Sequence, residues 1–529
     1  MCSMSPSAPR STCARPRRER ALGAARIWVL ASLALGPTRA RAADPPASPA
    51  VAASSAVADA APASAAPKAT PAAPQGAPAA PQVDAAELFA QALDAVRRDD
   101  MVSTALLCWA YLRQNPGGQS GDKAESASFY LAEALERRGY THAAVERYVE
   151  ILAERRAPQL VPQALAALER LARAHQFTEE AIAQAGVLTV AEFEELPPQL
   201  TAFVQFRQAV DDLRRGYDGW GQRHISRIRE DSPYQPMALY ARAVWRLGRG
   251  EVDEALADLE RVLAHQKTPA ETRAKALHSR ARVRYERGQF NEAFEDLAQI
   301  DLRYESGGEV LLEKAWAKFR ARDFRTALGL LHALGAPAYV GRFAPERYLL
   351  RSLIFSKYCH FRAAKRSIEQ FRQRFQTEIK ALRAGERPER VGPLRAAAFE
   401  RSSNIGAGAV NLLVQALEGE RRSIGAVPTW GSDKDPGSLN RALLSLYDLK
   451  LRDARFRQER LLQKTATRVA AELMDAEEQM NLLEYEVGLG IYRRIGKEAR
   501  IAEREARPHI PLVSEQDYYR FDGEYWTDE

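Results

Sequence analysis

Cysteine is scarce in this 529-residue chain: there are four, and Cys2 and Cys13 fall within the first fifteen positions. Beyond them only Cys108 and Cys359 remain, which excludes a disulfide framework of the kind that holds small secreted domains together. Histidine is almost as rare. None of His142, His175, His224, His265, His278, His332, His360 and His509 lies three or four residues from another, so neither a metalloprotease helix nor a zinc finger is present. No G-x-S-x-G occurs. Gly117 to Lys123 (G-G-Q-S-G-D-K) has the outline of a phosphate loop, but Asp122 would repel phosphate and Ala124 replaces the magnesium-binding hydroxyl. Gly488-Leu489-Gly490 follows a helical pattern and lacks a third glycine at its spacing. No catalytic residue, metal site or cofactor is expected, and an enzyme is not expected. Alternating β-branched stretches are also missing, while Ala, Leu, Arg and Glu dominate; the fold class is all-α.

Long apolar runs are absent too. The longest candidate, Ile27 to Leu35, covers nine residues, against the ~20 that a spanning helix needs. It follows a basic segment and precedes Gly36-Pro37 and Ala40-Arg41-Ala42, the layout of a secretory signal peptide over residues 1–42 cleaved after Ala42. General secretion is expected over the twin-arginine route that Arg17-Arg18 would admit, because Glu19-Arg20 follows where an apolar continuation belongs. No cysteine follows the apolar stretch to carry a lipid anchor. The formal charge of +7 belongs to this leader: eight of the 76 basic residues and one of the 69 acids lie in it, leaving 68 of each. A balanced mature chain offers no case for nucleic acid. Cys108 and Cys359 are expected as thiols rather than a bridge.

Residues 43–82 are almost wholly Ala, Pro, Ser, Val and Gln, with Asp44, Asp59 and Lys68 the only charges. Such a tract buries too little to offset ordering entropy and reads as a disordered linker, a spacer or a tether of up to ~120 Å. Helical periodicity begins near Asp84 and continues through residue 380, most regularly over residues 238–375. There one helix-turn-helix pattern runs four times, from Ala238, Ala276, Val310 and Arg347. Small residues recur at two places in each unit: Ala243, Ala281, Ala315 and Ser352, then Ala255, Ala293, Ala327 and Ala364. The second set is spaced by 38, 34 and 37 residues, a period that marks a solenoid of helix pairs. Some eight pairs fit between residues 83 and 380, and each needs to pack only on its neighbours, so no partition into domains is required.

These units resemble tetratricopeptide repeats. Small residues stand where that family's helices cross, and Leu239, Leu277, Leu311 and Tyr348 hold its early large position. Its turn glycine is kept as Gly250 and Gly288 and replaced by Arg322 and Cys359. The resemblance implies an α-solenoid of helical hairpins whose first helices line a protein-binding groove. Carried over position by position, the groove comprises Tyr240, Val244, Lys275, His278, Arg282, Tyr285, Trp316, Arg320 and Lys357, with Leu312, Phe319, Leu349 and Leu353 in it or packed between helices. The family's carboxylate clamp is absent, because Tyr240, His278, Leu312 and Leu349 occupy its places.

After a break at residues 383–393, an additional helix is expected over 394–418 and a loop over 421–439. A long helical segment then runs over 440–505. Its apolar positions, Leu461, Thr465, Val469, Leu473, Ala476, Met480, Leu483, Val487, Ile491 and Ile495, recur at a mean spacing of about 3.8. That exceeds a left-handed coiled coil's 3.5 and predicts a helix lying on its own solenoid or on a partner. Residues 506–529 form an aromatic and acidic tail, with Tyr518, Tyr519, Phe521, Tyr525 and Trp526, which either folds back or docks elsewhere. Over about a dozen residues it is similar to tails of tetratricopeptide proteins in gliding-motility machinery. The function expected is a non-enzymatic scaffold in the periplasm or outer cell envelope of a bacterium. It would bind other envelope proteins in a motility, secretion or surface-assembly machine. The alternative is a peptidoglycan-binding or processing factor on a helical solenoid.

Overall fold

The computed structural model describes residues 84–114, 122–190, 193, 196–301, 307–339, 342–404, 407–426, 430 and 437–505. The expected signal peptide, linker and aromatic tail lie outside them. Among the described residues the regular structure is helical, with no strand. The helices follow as eight successive pairs: α1 (Ala85–Arg97) with α2 (Met101–Gln114), and α3 (Asp122–Arg137) with α4 (Thr141–Glu154). Next come α5 (Val161–Ala174) with α6 (Gln176–Ala185) and, after the single turn α7 (Val187–Val190), α8 (Pro198–Arg215) with α9 (Asp218–Arg227). The regular repeats are α10 (Gln235–Arg249) with α11 (Val252–Ala264), and α12 (Ala270–Glu286) with α13 (Phe290–Ala298). The last pairs are α14 (Gly307–Arg320) with α15 (Phe324–Ala333), and α16 (Glu346–Lys357) with α17 (Phe361–Arg383). This is an all-α solenoid of helical hairpins.

Two features of the sequence make the hairpins. At every hairpin turn but that of α5 and α6, where His175 is extended, the chain reverses through one residue with positive φ: Gly139 at 83°, Gly216 at 84°, Gly250 at 81° and Gly288 at 80°. Glycine takes this left-handed conformation without a steric penalty. Where it is replaced, the conformation persists in strained form, at Asp99 (59°), Arg322 (66°) and Cys359 (60°). At the crossings, all eight small positions, Ala243 to Ser352 and Ala255 to Ala364, are fully buried. A larger side chain at any of them would push the helix axes apart.

The described residues fall into two compact units, each completed by a later segment: those up to 317 with those of 398–465, and those of 318–397 with those from 466 onwards. The helix expected over 394–418 is two helices: α18 (Gly392–Asn404), within which the boundary between residues 397 and 398 falls, and, in the first unit, α19 (Ala407–Ala426), lying on α6. The expected loop is correspondingly shorter and is held at its described residues. Trp430 is buried edge-on to Tyr140, and the Gly437 carbonyl accepts from Trp109 Nε1 at 3.0 Å and Arg113 Nη1 at 2.8 Å. α20 (Leu439–Glu505) then begins by burying Leu439, Leu443, Tyr447, Leu451 and Ala454 in the first unit's core. Spaced 4, 4, 4 and 3 residues apart, these make one helical face.

The second unit is built on aromatic rings. Phe371 and Phe375 of α17 lie 5.2 Å apart, with Phe343 and Tyr348 edge-on to them. The later part of α20 covers this cluster with Val469, Leu473, Ala476, Met480, Leu483 and Val487. It comes so close that a Cβ on Gly490 would stand 2.5 Å from the Phe361 ring. The apolar periodicity thus marks a face lying on the chain's own hairpins, with two departures. Leu462 and Ala466 are buried one residue past Leu461 and Thr465, and Ile495 is exposed.

Candidate protein-binding face

Within the first unit, the first helices of successive hairpins, α10, α12 and α14, are linked through groove-position side chains. Tyr240 Oη is 3.4 Å from Ser279 Oγ, joining α10 to α12. His278 Nε2 is 2.8 Å from Glu313 Oε2, joining α12 to α14. Arg282 donates to Glu313 Oε1 from Nε at 3.0 Å and from Nη2 at 2.7 Å, and from Nη2 to Glu309 Oε1 at 2.7 Å. The sequence places His278 and Arg282 in the expected protein-binding groove. The structure sets them in a closed cluster in which two carboxylates answer the guanidinium and the imidazole.

Burial alone would push the Glu313 carboxyl up, but Arg282 and then His278 outweigh it and hold the group at about 2. Glu313 therefore stays anionic at any physiological pH and keeps Arg282 in place. One ligand atom each from His278, Glu309 and Glu313 lie within 4.8 Å of one another, a spacing that would suit a metal ion. The donor set does not, because Arg282 already donates to both carboxylates and its charge would repel a cation. The cluster is an ion-pair network that fixes α12 against α14.

The other groove positions of this unit are more open. Lys275 is half-buried, with Nζ 2.5 Å from Glu271 Oε1 one turn earlier on its own helix. Tyr285 stacks edge-on against Phe290 at 5.3 Å, while Val244 and Trp316 are half-buried. In the second unit, Arg320 and Lys357 are exposed, Phe319 packs on Phe324 at 5.5 Å, and Leu349 belongs to the core. The positions divide by role: Leu349 is core, His278 and Arg282 lock helices together, and the remaining named side chains keep surface.

A second charged device escaped the sequence reading. Asp258 on α11 is only 2% exposed and receives two bonds from Arg242, at 2.8 and 2.6 Å, and one from Arg246 at 2.7 Å. Thirty-eight residues on, Asp296 of α13, 1% exposed, receives the same three from Arg280, at 3.0 and 2.6 Å, and Arg284, at 2.9 Å. Each clamp joins the two helices of a hairpin with a bidentate, charge-assisted contact. Its signature, Arg at i and i+4 with Asp at i+16, was visible as a repeat. In the next two hairpins the same places hold Lys314 with Leu330 and Arg351 with Ser367. Burial lowers the Lys314 amine, and Arg351 Nε bonds the Ser367 hydroxyl oxygen at 3.0 Å.

One exposed group lies away from the groove positions. At the start of α9, Tyr217 just before it and Trp220 on it project into solvent, with the Arg223 guanidinium 4.5 Å from the Trp220 ring centre. Among the described residues, no helix is long and apolar enough to cross a membrane. Cys108 is buried, which pushes its thiol up to about 12.

No family model matches the chain, and no curated protein matches it. Among solved structures it is similar to a tetratricopeptide repeat protein from Parabacteroides merdae. The identity is 14% and the TM-score 0.21, over 55% of this chain and 92% of that one. It is also similar to the tetratricopeptide domain of P58(IPK), at 14% identity and TM-score 0.18, over 70% of this chain and 99% of that one. At such scores neither likeness bears on function, and the fold rests on the hairpins themselves.

Proposed function

We propose that this chain is a non-enzymatic scaffold that binds other proteins along the first-helix face of its solenoid. The observation carrying the reading is the series Tyr240, Lys275, Tyr285 and Trp316, which keeps surface on helices that Tyr240–Ser279 and the Arg282–Glu309–Glu313 cluster align. Aromatic and cationic side chains on rigid elements are what hot spots are made of, and the ordering cost is met in advance. The leader-like residues 1–42 support placing this work in the periplasm or outer envelope of a bacterium, with envelope proteins as partners. Motility, secretion or surface assembly are the settings such a scaffold would serve.

A photoreactive residue at Lys275 in native cells, followed by mass spectrometry, tests the proposal. A reproducible envelope partner, lost on Trp316→Ala, supports it; crosslinks confined to the chain's own helices sink it. Arg282 is a poor probe, because its loss would free α14 from α12. The alternative of peptidoglycan binding draws on one observation, the exposed Tyr217 and Trp220 with Arg223, since aromatic faces stack on sugar rings. Retention on purified murein that disappears in Trp220→Ala would favour it.

A further inference from the structure

Between residues 466 and 496, α20 has a second apolar face. Its first face lies on the second unit's own core. The opposite face of such a helix is ordinarily polar. Here Leu482, Tyr485, Tyr492 and Ile495 are 63%, 69%, 76% and 60% exposed, with Leu489 half-buried among them. With Leu489 included, the steps are 3, 4, 3 and 3, which places them in one stripe. Its length, about 14 residues, is ~20 Å of helix.

The stripe is symmetric about a point between Gly488 and Leu489. A two-fold axis there exchanges Leu482 with Ile495, Tyr485 with Tyr492 and Gly488 with Leu489, so apolar positions fall on apolar positions. Charge follows the opposite rule. Residues 477–486 hold Glu478 and Glu486, besides Glu477 and Glu484, which Arg383 and Arg372 of α17 already answer, and no base, whereas residues 487–496 hold Arg493 and Arg494 and no acid. An antiparallel neighbour of the same sequence therefore sets its basic half beside the acidic half, while a parallel one sets like against like. At the centre Gly488 is exposed, and a Cβ there would meet nothing within 4 Å, so the backbones can approach closely where the helices cross.

We propose that a second copy of this chain docks on this face, antiparallel, about a two-fold axis between Gly488 and Leu489. The contact is isologous and closes as a dimer. A contact limited to one ~20 Å stripe of helix is smaller than permanent interfaces use, so the dimer is expected to form in proportion to concentration. The proposal is independent of the first-helix face, which belongs mainly to the other unit.

Sedimentation equilibrium of the intact chain should show a reversible monomer–dimer equilibrium. Tyr485→Glu and Tyr492→Glu should each weaken it roughly 30-fold or more. Phe456→Glu, at an exposed residue of the same helix outside the stripe, should leave it unchanged. Circular dichroism of each variant verifies that the helices remain. Orientation is read by oxidation on a background carrying Cys108→Ala and Cys359→Gly, with Cys2 and Cys13 changed to serine. Gly488→Cys should crosslink to itself, and Tyr485→Cys only when mixed with Tyr492→Cys. A monomer at every concentration overturns the proposal, as does self-crosslinking of Tyr485→Cys, which means parallel pairing. A dimer that appears only after removal of residues 506–529 also overturns it, and gives the face to the chain's own tail.

Discussion

The hairpins of α10 to α13 and the hairpin of α16 and α17 share their small crossing residues and left-handed turns, yet they are fastened by different chemistry. The first two close on the buried carboxylates of Asp258 and Asp296, each held by two arginines. The third has Ser367 at that place and closes on the rings of Phe371 and Phe375 under α20. The repeat therefore specifies a geometry, small residues at a crossing and a reversal after it, and leaves the fastening open. Buried ion pairs resist loss of one partner; aromatic packing resists loss of volume.

Removing each fastening tests that division most severely. Asp296→Ala would leave Arg280 and Arg284 unpaired in a part-buried setting and should cost about 3–5 kcal/mol, against about 1 kcal/mol for Ser367→Ala. Phe375→Ala should cost a similar 3–5 kcal/mol through the cavity it leaves. Hydrogen exchange sharpens the contrast: the aspartate variant should lose protection in α10 to α13, and the phenylalanine variant in α16, α17 and residues 466–490. If each variant opens both regions equally, the two fastenings are not independent and the comparison fails.

A smaller effect separates the regions by pH. In the first unit, the Glu420 carboxylate accepts from the Tyr447 hydroxyl and from the His142 backbone N–H at 3.1 Å. Burial lifts Glu420 to about 7, against the pull of those two donors. Because the folded chain holds this proton more tightly than the unfolded one, stability falls as pH rises from about 4.5 to about 7. His142, buried near Lys450 and Glu146, is lowered to about 3, first by burial and then by Lys450. Its contribution has the opposite sign, falling as pH drops from about 6.5 towards 3. Glu420→Gln should thus raise the thermal midpoint at pH 8, leave it nearly unchanged at pH 4.5, and expose a steeper decline below pH 6.5. Equal shifts at pH 4.5 and 8 would show that Glu420 does not titrate in this window.

The smallest effect concerns what the regions share. Asp99→Gly and Arg322→Gly should each stabilise by about 0.5–1 kcal/mol, since relief of a left-handed residue exceeds glycine's added freedom in the unfolded chain. The same change at Lys365, exposed inside α17, should destabilise by about as much. Denaturant midpoints would decide both.

Much of this fold was legible in the sequence because it repeats. Ala243, Ala281 and Ala315 mark crossings, and Gly250 and Gly288 mark reversals, through constraints within a hairpin. What stayed hidden depends on partners on another helix, in the same hairpin or the next. The sequence shows His278 and Arg282 on a helix face, but Glu309 and Glu313, some thirty residues on, decide that they lock helices. The Arg242–Asp258 clamp repeats at Arg280–Asp296, but the spacing of sixteen links one helix to the next and has no helical periodicity to announce it. On α20 the register slips at Leu461 and Thr465, because periodicity defines a stripe and not which edge of it is covered. Leu482 and Tyr492 lie off that stripe and were not singled out.

The first unit closes late. Leu131, Leu135 and Ala143 lie against Leu439, Leu443 and Leu446, which the ribosome adds roughly 300 residues afterwards. At ~5–20 residues per second the early hairpins wait about 15–60 s with that apolar surface uncovered. On the export proposed above, the delay would be useful: residues that cannot finish folding remain threadable, and a holding chaperone has time to find them.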